Sequence, residues 1–263
     1  MRERAAARRC SWRVKLLAAG AVAGALIGAL VVVGAYGLIQ RSQPSALALA
    51  AGAATSPAPA ASEDSPLAMA CRRPALPAGQ NEGLSGLWIE QPGSVAGYRA
   101  NEKFAEVPSP HVAVARTQQV SGWMLATDRG GVRTVETACV AIDLASLVSV
   151  DQLPGFDTRA RDDVARGMLQ VHGYPFAIFQ PYPTRMTGEV GHMRLPGVLT
   201  LRGFSRPETF DVDFKLTQGQ AAVAGETKLS VDDYGIDVPR EAGGFVAVDP
   251  NITLEISLVL ARA

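Results

Sequence analysis

LPGVLTLRGFSRPETFDVDFKLT, residues 195–217, reads as two β-strands joined by a tight turn. In the second strand Phe210, Val212, Phe214 and Leu216 fall on one face, and Asp211, Asp213, Lys215 and Thr217 on the other. Strict alternation with one polar face marks an antiparallel strand with a core on one side and water on the other. Gly203, Ser205 and Pro207 are assigned to the turn, because they supply unusual φ, a side-chain cap and a fixed φ. A lone hairpin is marginal in water, so the surrounding chain has to supply further strands.

Downstream, Gln220 to Val231 is a further strand, Asp232-Asp233-Tyr234-Gly235 a turn, and Gly243-Gly244 a loop. The clearest strand is the last, where Ile252, Leu254, Ile256, Leu258 and Leu260 alternate with Thr253, Glu255, Ser257 and Val259. Upstream, residues 112–127 are strand-like, and Asp128-Arg129-Gly130-Gly131 signals a hairpin. The strand that follows, Val132 to Leu144, has Val140, Ile142 and Leu144 on one face. Phe156 to Val171 is charged, breaks the alternation and is expected to hold one short helix. Tyr174-Pro175 opens another strand, in which Pro181 and Pro183 predict a bend or an edge. About eight or nine strands in about 180 residues make the domain, expected to begin near Leu84, all-β. A closed antiparallel barrel and a two-sheet sandwich both satisfy this pattern.

The N-terminal part differs in kind. Residues 1–15 carry Arg2, Arg4, Arg8, Arg9, Arg13 and Lys15, and residues 16–39 carry no charge at all. About 20 apolar residues cross a bilayer as a helix. The basic flank is then expected in the cytoplasm and the rest of the chain outside. A cleaved signal peptide is the alternative, with Ala46-Leu47-Ala48 as its cleavage site; its apolar core is usually about 7–15 residues, which favours retention here. Residues 40–80, rich in Ala, Pro and Ser, read as a disordered, semi-extended tether.

The chain holds 25 basic and 25 acidic side chains, unevenly placed. Residues 1–80 have nine Lys or Arg against three Asp or Glu, and residues 81–263 have sixteen against twenty-two. An acidic domain is a poor partner for nucleic acid. His111, His172 and His192 lie at no metal-ligand spacing with one another or with a cysteine, so structural or solvent-exposed roles are expected. Asp232, Asp233 and Asp237 lack the glycine and terminal glutamate of an EF-hand and are expected to cap turns. Asp162 and Asp163 beside Arg159, Arg161 and Arg166 read as a solvated, self-paired helical face rather than a catalytic cluster. No nucleophile elbow, phosphate loop or dinucleotide motif is present, so neither catalytic residues nor a cofactor are expected. By alternation Cys139 lies opposite Val140 and Ile142, on an outer face that the end of the tether reaches. A Cys71–Cys139 disulfide and two free thiols both remain open.

What remains is apolar surface. If the interior is a tunnel, its walls include Leu201, Phe210, Val212, Phe214, Leu254 and Ile256, which suit a ligand that is mostly hydrocarbon. A filled core uses the same residue types.

The sequence resembles the YceI-like family of polyisoprenoid-binding proteins over residues 84–262. The resemblance rests on Gly197 to Pro207, similar to the family's most characteristic hairpin, and on three shorter stretches in order. Thr158-Arg159-Ala160-Arg161-Asp162 resembles its Thr…Arg-Asp segment, Tyr174 to Phe179 its Tyr-Pro strand opening, and Asp233-Tyr234-Gly235-Ile236 its Asp-Phe-Gly-Ile turn. Two positions depart from the family: Val164 and Ala165 stand where it usually has His-Leu, and a basic residue common before the turn is missing near Val231 and Asp232. Both lie near the expected tunnel mouth. The resemblance implies an eight-stranded, lipocalin-like antiparallel barrel with no catalytic activity, found outside the bacterial cytoplasm. It implies a tunnel for a long isoprenoid chain such as a quinone tail or polyprenol. The leading expectation is therefore a membrane-tethered lipid-binding module, and the alternative is a structural or signalling ectodomain with a filled barrel and an external protein partner.

Overall fold

The domain is built of eight long staves, each paired with the next in sequence and the last with the first. The computed structural model describes residues 43–50, 64–74, 84–104, 111–153, 157–217, 219–240 and 246–263. The chain divides into two units, Met1–Gln43 and Pro44–Ala263, and every helix and strand described belongs to the second. The expected apolar span at 16–39 and its basic flank lie outside the described residues. Among the described residues no helix is long and apolar enough to cross a membrane.

The strands, in chain order, are β1 (Gly86–Glu90), β2 (Val95–Phe104), β3 (His111–Thr117), β4 (Val120–Arg129), β5 (Val132–Asp143), β6 (Val148–Ser149), β7 (Phe176–Pro181), β8 (Thr184–Met186), β9 (Val190–Leu201), β10 (Phe204–Leu216), β11 (Gln220–Ser230), β12 (Val246–Val248) and β13 (Asn251–Arg262). Four of the barrel's long staves are broken. β1 and β2 run along β13 in nearly one register, β3 and β4 run back along them, β5 continues into β6, and β7 continues into β8. With β9, β10, β11 and β13 these make an eight-stranded antiparallel barrel, and the β1–β13 pairing closes it. Of the two architectures the alternation allowed, the closed one is formed, which leaves no long free edge. Where β2 crosses β3 the backbones nearly touch: a Cβ on Gly97 would stand 2.2 Å from the Ala115 carbonyl oxygen.

The β9–β10 hairpin turns on Arg202 and Gly203, both at positive φ, 50° and 77°. That is the signature of a two-residue type I′ turn, whose twist matches the flanking strands. Ser205 and Pro207, expected in the turn, instead belong to β10, paired with Thr200 and Val198. The break between β7 and β8 falls at Tyr182-Pro183, where the prolines predict a bend.

Two pieces of the 40–80 stretch, read from composition as a disordered tether, lie against the barrel. Helix α1 (Pro66–Ala70), capped by the Ser65 hydroxyl, packs Leu67, Ala70 and Cys71 onto the outer faces of β1, β4, β5 and β7. Cys71 forms a disulfide with Cys139, Cα–Cα 5.5 Å, so of the two open alternatives the bridge is the one present. The Trp123 indole donates to the Cys71 carbonyl at 2.9 Å. Pro44 to Ala50 crosses the outer face of β2, β3 and β13. The Arg99 and Arg116 guanidinium groups donate to the Pro44 and Ser45 carbonyls, and buried Glu255 binds both arginines and accepts the Leu47 N–H at 3.1 Å. Composition argues against folding for such a segment; a covalent link and hydrogen bonds to buried charges supply what its side chains do not.

Candidate functional site

The strands turn Leu, Ile, Val and Phe inward at alternate positions, and their faces enclose a cavity of about 640 Å³. An eight-stranded barrel is just wide enough to be filled by side chains or to hold one slender ligand. Here the interior divides between the two. At one end Trp88, Val135, Met186, Phe214 and Leu216 pack into a dry floor, with Trp88 and Phe214 each 1% exposed. Beyond that floor the cavity runs toward helix α2 (Thr158–Leu169), which lies between β6 and β7. At that end its lining includes exposed residues, among them Ala160 and Val164, the latter 56% exposed.

All six residues expected on the walls line this cavity. Leu201, Phe210 and Val212 lie in the apolar cluster nearer α2, and Leu254 and Ile256 pack against it. Phe214 belongs to the floor instead. The Phe210 ring meets Phe179 at 4.7 Å between centroids, tilted by 54°. At the same end Val231 is buried, as are Tyr234 and Ile236 of the Asp-Tyr-Gly-Ile turn, and the Tyr234 hydroxyl donates to Glu208 at 2.9 Å. Burial and that bond push the Tyr234 phenol up.

Helix α2 supplies residues that alternation does not identify. Its N-terminus is capped by Asp157, which accepts the Arg159 N–H at 3.0 Å, and it ends on Gln170 in the left-handed conformation. Arg161, Val164, Ala165 and Met168 share one helical stripe, i, i+3, i+4 and i+7, and all four line the cavity. That stripe is thus apolar except at Arg161. The two departures from the family pattern, Val164 and Ala165, face the cavity, as does Val231.

Around Arg161 the mouth carries a buried polar cluster. The Arg161 guanidinium donates to Asp151 Oδ1, to the Ser149 hydroxyl and, at 3.2 Å, to Glu102 Oε2. Asp151 also binds His111 Nε2 at 2.7 Å and accepts the Val114 N–H at 2.9 Å. Asp162 is buried and accepts the Ser149 N–H at 3.1 Å. This corrects the expectation of a solvated, self-paired face. Only Arg166–Asp163 and Arg159–Asp157 pair within the helix segment at the surface, while Arg161 and Asp162 are committed to β6 and the loop after it. Turning them inward leaves no buried charge unpaired, which is the condition for burying one at all.

Burial pushes the Asp151 carboxyl up, but the His111 and Arg161 hydrogen bonds and the Val114 N–H outweigh it and hold it at about 2. Glu102 is raised by burial, against the pull of Arg161. Burial, with nearby Glu102, Asp162 and Asp151, lifts the Tyr98 phenol to about 12 despite Arg161. Glu102 and Tyr98 both line the cavity. His172 and His192 are exposed, and His192 pairs with Asp213 at 3.0 Å. Asp232 pairs with Arg240. Among the described residues no group of three or more His, Cys, Asp or Glu could hold a metal.

A closed, lipocalin-like barrel with one apolar cavity is the class of protein that the fold and site define. The family model of the YceI-like domain matches residues 105–260, and the chain belongs to that family. Among solved structures it is similar to a polyisoprenoid binding domain from Saccharophagus degradans, described as implicated in plant cell wall breakdown. The two share 15% identity at a TM-score of 0.50, covering 68% of this chain and 99% of that one. It is also similar to BcnA of Burkholderia cenocepacia, with 17% identity, TM-score 0.45 and coverage of 62% and 95%. A third similar structure is the YCEI protein of Campylobacter jejuni, with 15% identity, TM-score 0.35 and coverage of 59% and 83%. The first of these likenesses supports the barrel fold. No curated protein matches the chain.

Proposed function

We propose that the barrel binds one long apolar lipid, a polyisoprenoid chain or a similar hydrocarbon such as a quinone tail or polyprenol, and performs no catalysis. The observation that carries this reading is the cavity itself. Its volume, about 640 Å³, falls within the roughly 300–1,000 Å³ of small-molecule sites. Its walls are hydrocarbon from the floor to the mouth, so each buried methylene of a ligand contributes about 0.8 kcal/mol. The polar cluster at the mouth is bonded within itself and holds no activated nucleophile. Membership of a family whose model spans most of the barrel supports the same reading.

The setting belongs to this proposal as well. An uncharged run at 16–39 behind a basic flank is the pattern of a single membrane anchor with a cytoplasmic N-terminus. A disulfide between Cys71 and Cys139 is chemistry of an oxidising compartment, which supports a barrel on the extracytoplasmic side. Purification of the full chain followed by mass spectrometry of its organic extract tests the binding function. A long-chain lipid in near-stoichiometric amount is expected. Recovery of no lipid from folded protein would support instead the filled, non-catalytic ectodomain with an external partner.

A further inference from the structure

The charge balance at the mouth bears on which end group a bound chain can carry, a question that rests on the lipid-binding reading above. Among the described residues, Arg161 is the one basic side chain that lines the cavity. It is already engaged by Asp151, Glu102 and Ser149. Asp151 is shared with His111, and the Glu102 carboxylate lines the cavity beside Arg161.

We propose that the cavity selects lipids whose end group is uncharged, a carbonyl or hydroxyl, and rejects chains that end in phosphate or pyrophosphate, with Glu102 as the residue that sets this selectivity. An anionic end group would be drawn out of water beside Glu102, and Arg161 could meet it only by releasing a carboxylate. A charge desolvated without a partner is strongly disfavoured, whereas a neutral oxygen needs only a hydrogen bond. The Tyr98 hydroxyl, which remains protonated, lines the cavity and can give one. Val164 and Ala165 put hydrocarbon on the helix face that lines the cavity.

The test is equilibrium binding of geranylgeraniol and of geranylgeranyl pyrophosphate to the delipidated full chain, below the aggregation concentration of each. The alcohol is expected to bind at least tenfold more tightly. Glu102→Gln, which keeps shape and removes charge, is expected to narrow that ratio severalfold by improving pyrophosphate binding. Equal or tighter binding of the pyrophosphate by the wild-type chain overturns the selectivity and leaves the lipid-binding reading standing. If neither compound binds, both fall. The wild-type comparison decides the matter even if the Glu102 variant fails to fold.

Discussion

The two ends of the barrel are built from the same staves and do different things. At the floor, Trp88, Phe214 and Leu216 pack into one buried cluster. At the mouth the same alternation brings Leu201, Phe210, Val212 and Leu254 to face a cavity, and a helix rather than a strand closes the top. The floor is held by packing. The mouth is held by hydrogen-bonded charges around Arg161, which keep α2 in place without filling the space beneath it. The contrast teaches that an apolar inward face does not by itself mean a filled core. What covers the end of the barrel determines whether the interior is solid or hollow.

The largest expected effect tests the floor. Trp88→Ala should cost about 3–5 kcal/mol, because it opens a void in close-packed surroundings. Ile256→Ala, which already borders the cavity, should fall at the low end of the roughly 2–5 kcal/mol seen for such truncations. Urea unfolding of both variants, lipid-free, checks the pair. Equal losses would mean that the two ends are packed alike.

Next in size is the bridge that fastens α1 to the barrel wall. It spans 68 residues of sequence, and its removal is expected to cost about 2–4 kcal/mol. Thermal unfolding with and without reductant, and of Cys139→Ser, should show that loss while leaving lipid retention intact, since the bridge is on the outer face.

Acid and neutral pH should separate two carboxylates. Asp151 at the mouth is held below its ordinary value, at about 2. Its contribution is therefore full above the unfolded value of about 3.9 and is lost as pH falls toward 2. Glu90 on β1 is raised to about 7 by burial, despite the hydrogen bond from Ser94. The folded state then binds more protons than the unfolded one, so stability falls as pH rises from about 4.5 to 7. Glu90→Gln should flatten the melting temperature across that upper window, and Asp151→Asn should flatten it below pH 4. An unchanged profile in either variant would remove that group from the account.

The smallest effect on stability is expected at Val164, 56% exposed at the mouth. Val164→Ser should leave stability within about 0.5 kcal/mol yet loosen lipid retention, as read by the amount of lipid that co-purifies.

The sequence makes the strands far more legible than the lid. In β9, β10 and β13 alternation names the inward residues, and all of Leu201, Phe210, Val212, Phe214, Leu254 and Ile256 line the cavity. Period two identifies a face and says nothing about what stands opposite it, so Phe214 in the floor and Val212 on the wall look the same. The charged α2 segment misleads for a related reason. Its surface carries Arg159 and Asp163, and composition averages these with Arg161 and Asp162, which point the other way. The signal that separates them is the stripe at 161, 164, 165 and 168, visible only when the segment is read at helical period. The docked pieces at 44–50 and 64–74 are hardest to read. Backbone groups and one cysteine fasten them, and backbone bonds leave no mark in composition.

The most direct test of a hollow, lipid-holding interior is photolabelling with an isoprenoid that carries a diazirine midway along its chain, followed by peptide mapping. Labels are expected on the inward positions of β10 and β13, at Phe210, Val212, Leu254 and Ile256. Labels confined to exposed apolar residues such as Met69, Val148 or Val190, or no saturable labelling of the folded chain, would contradict the account.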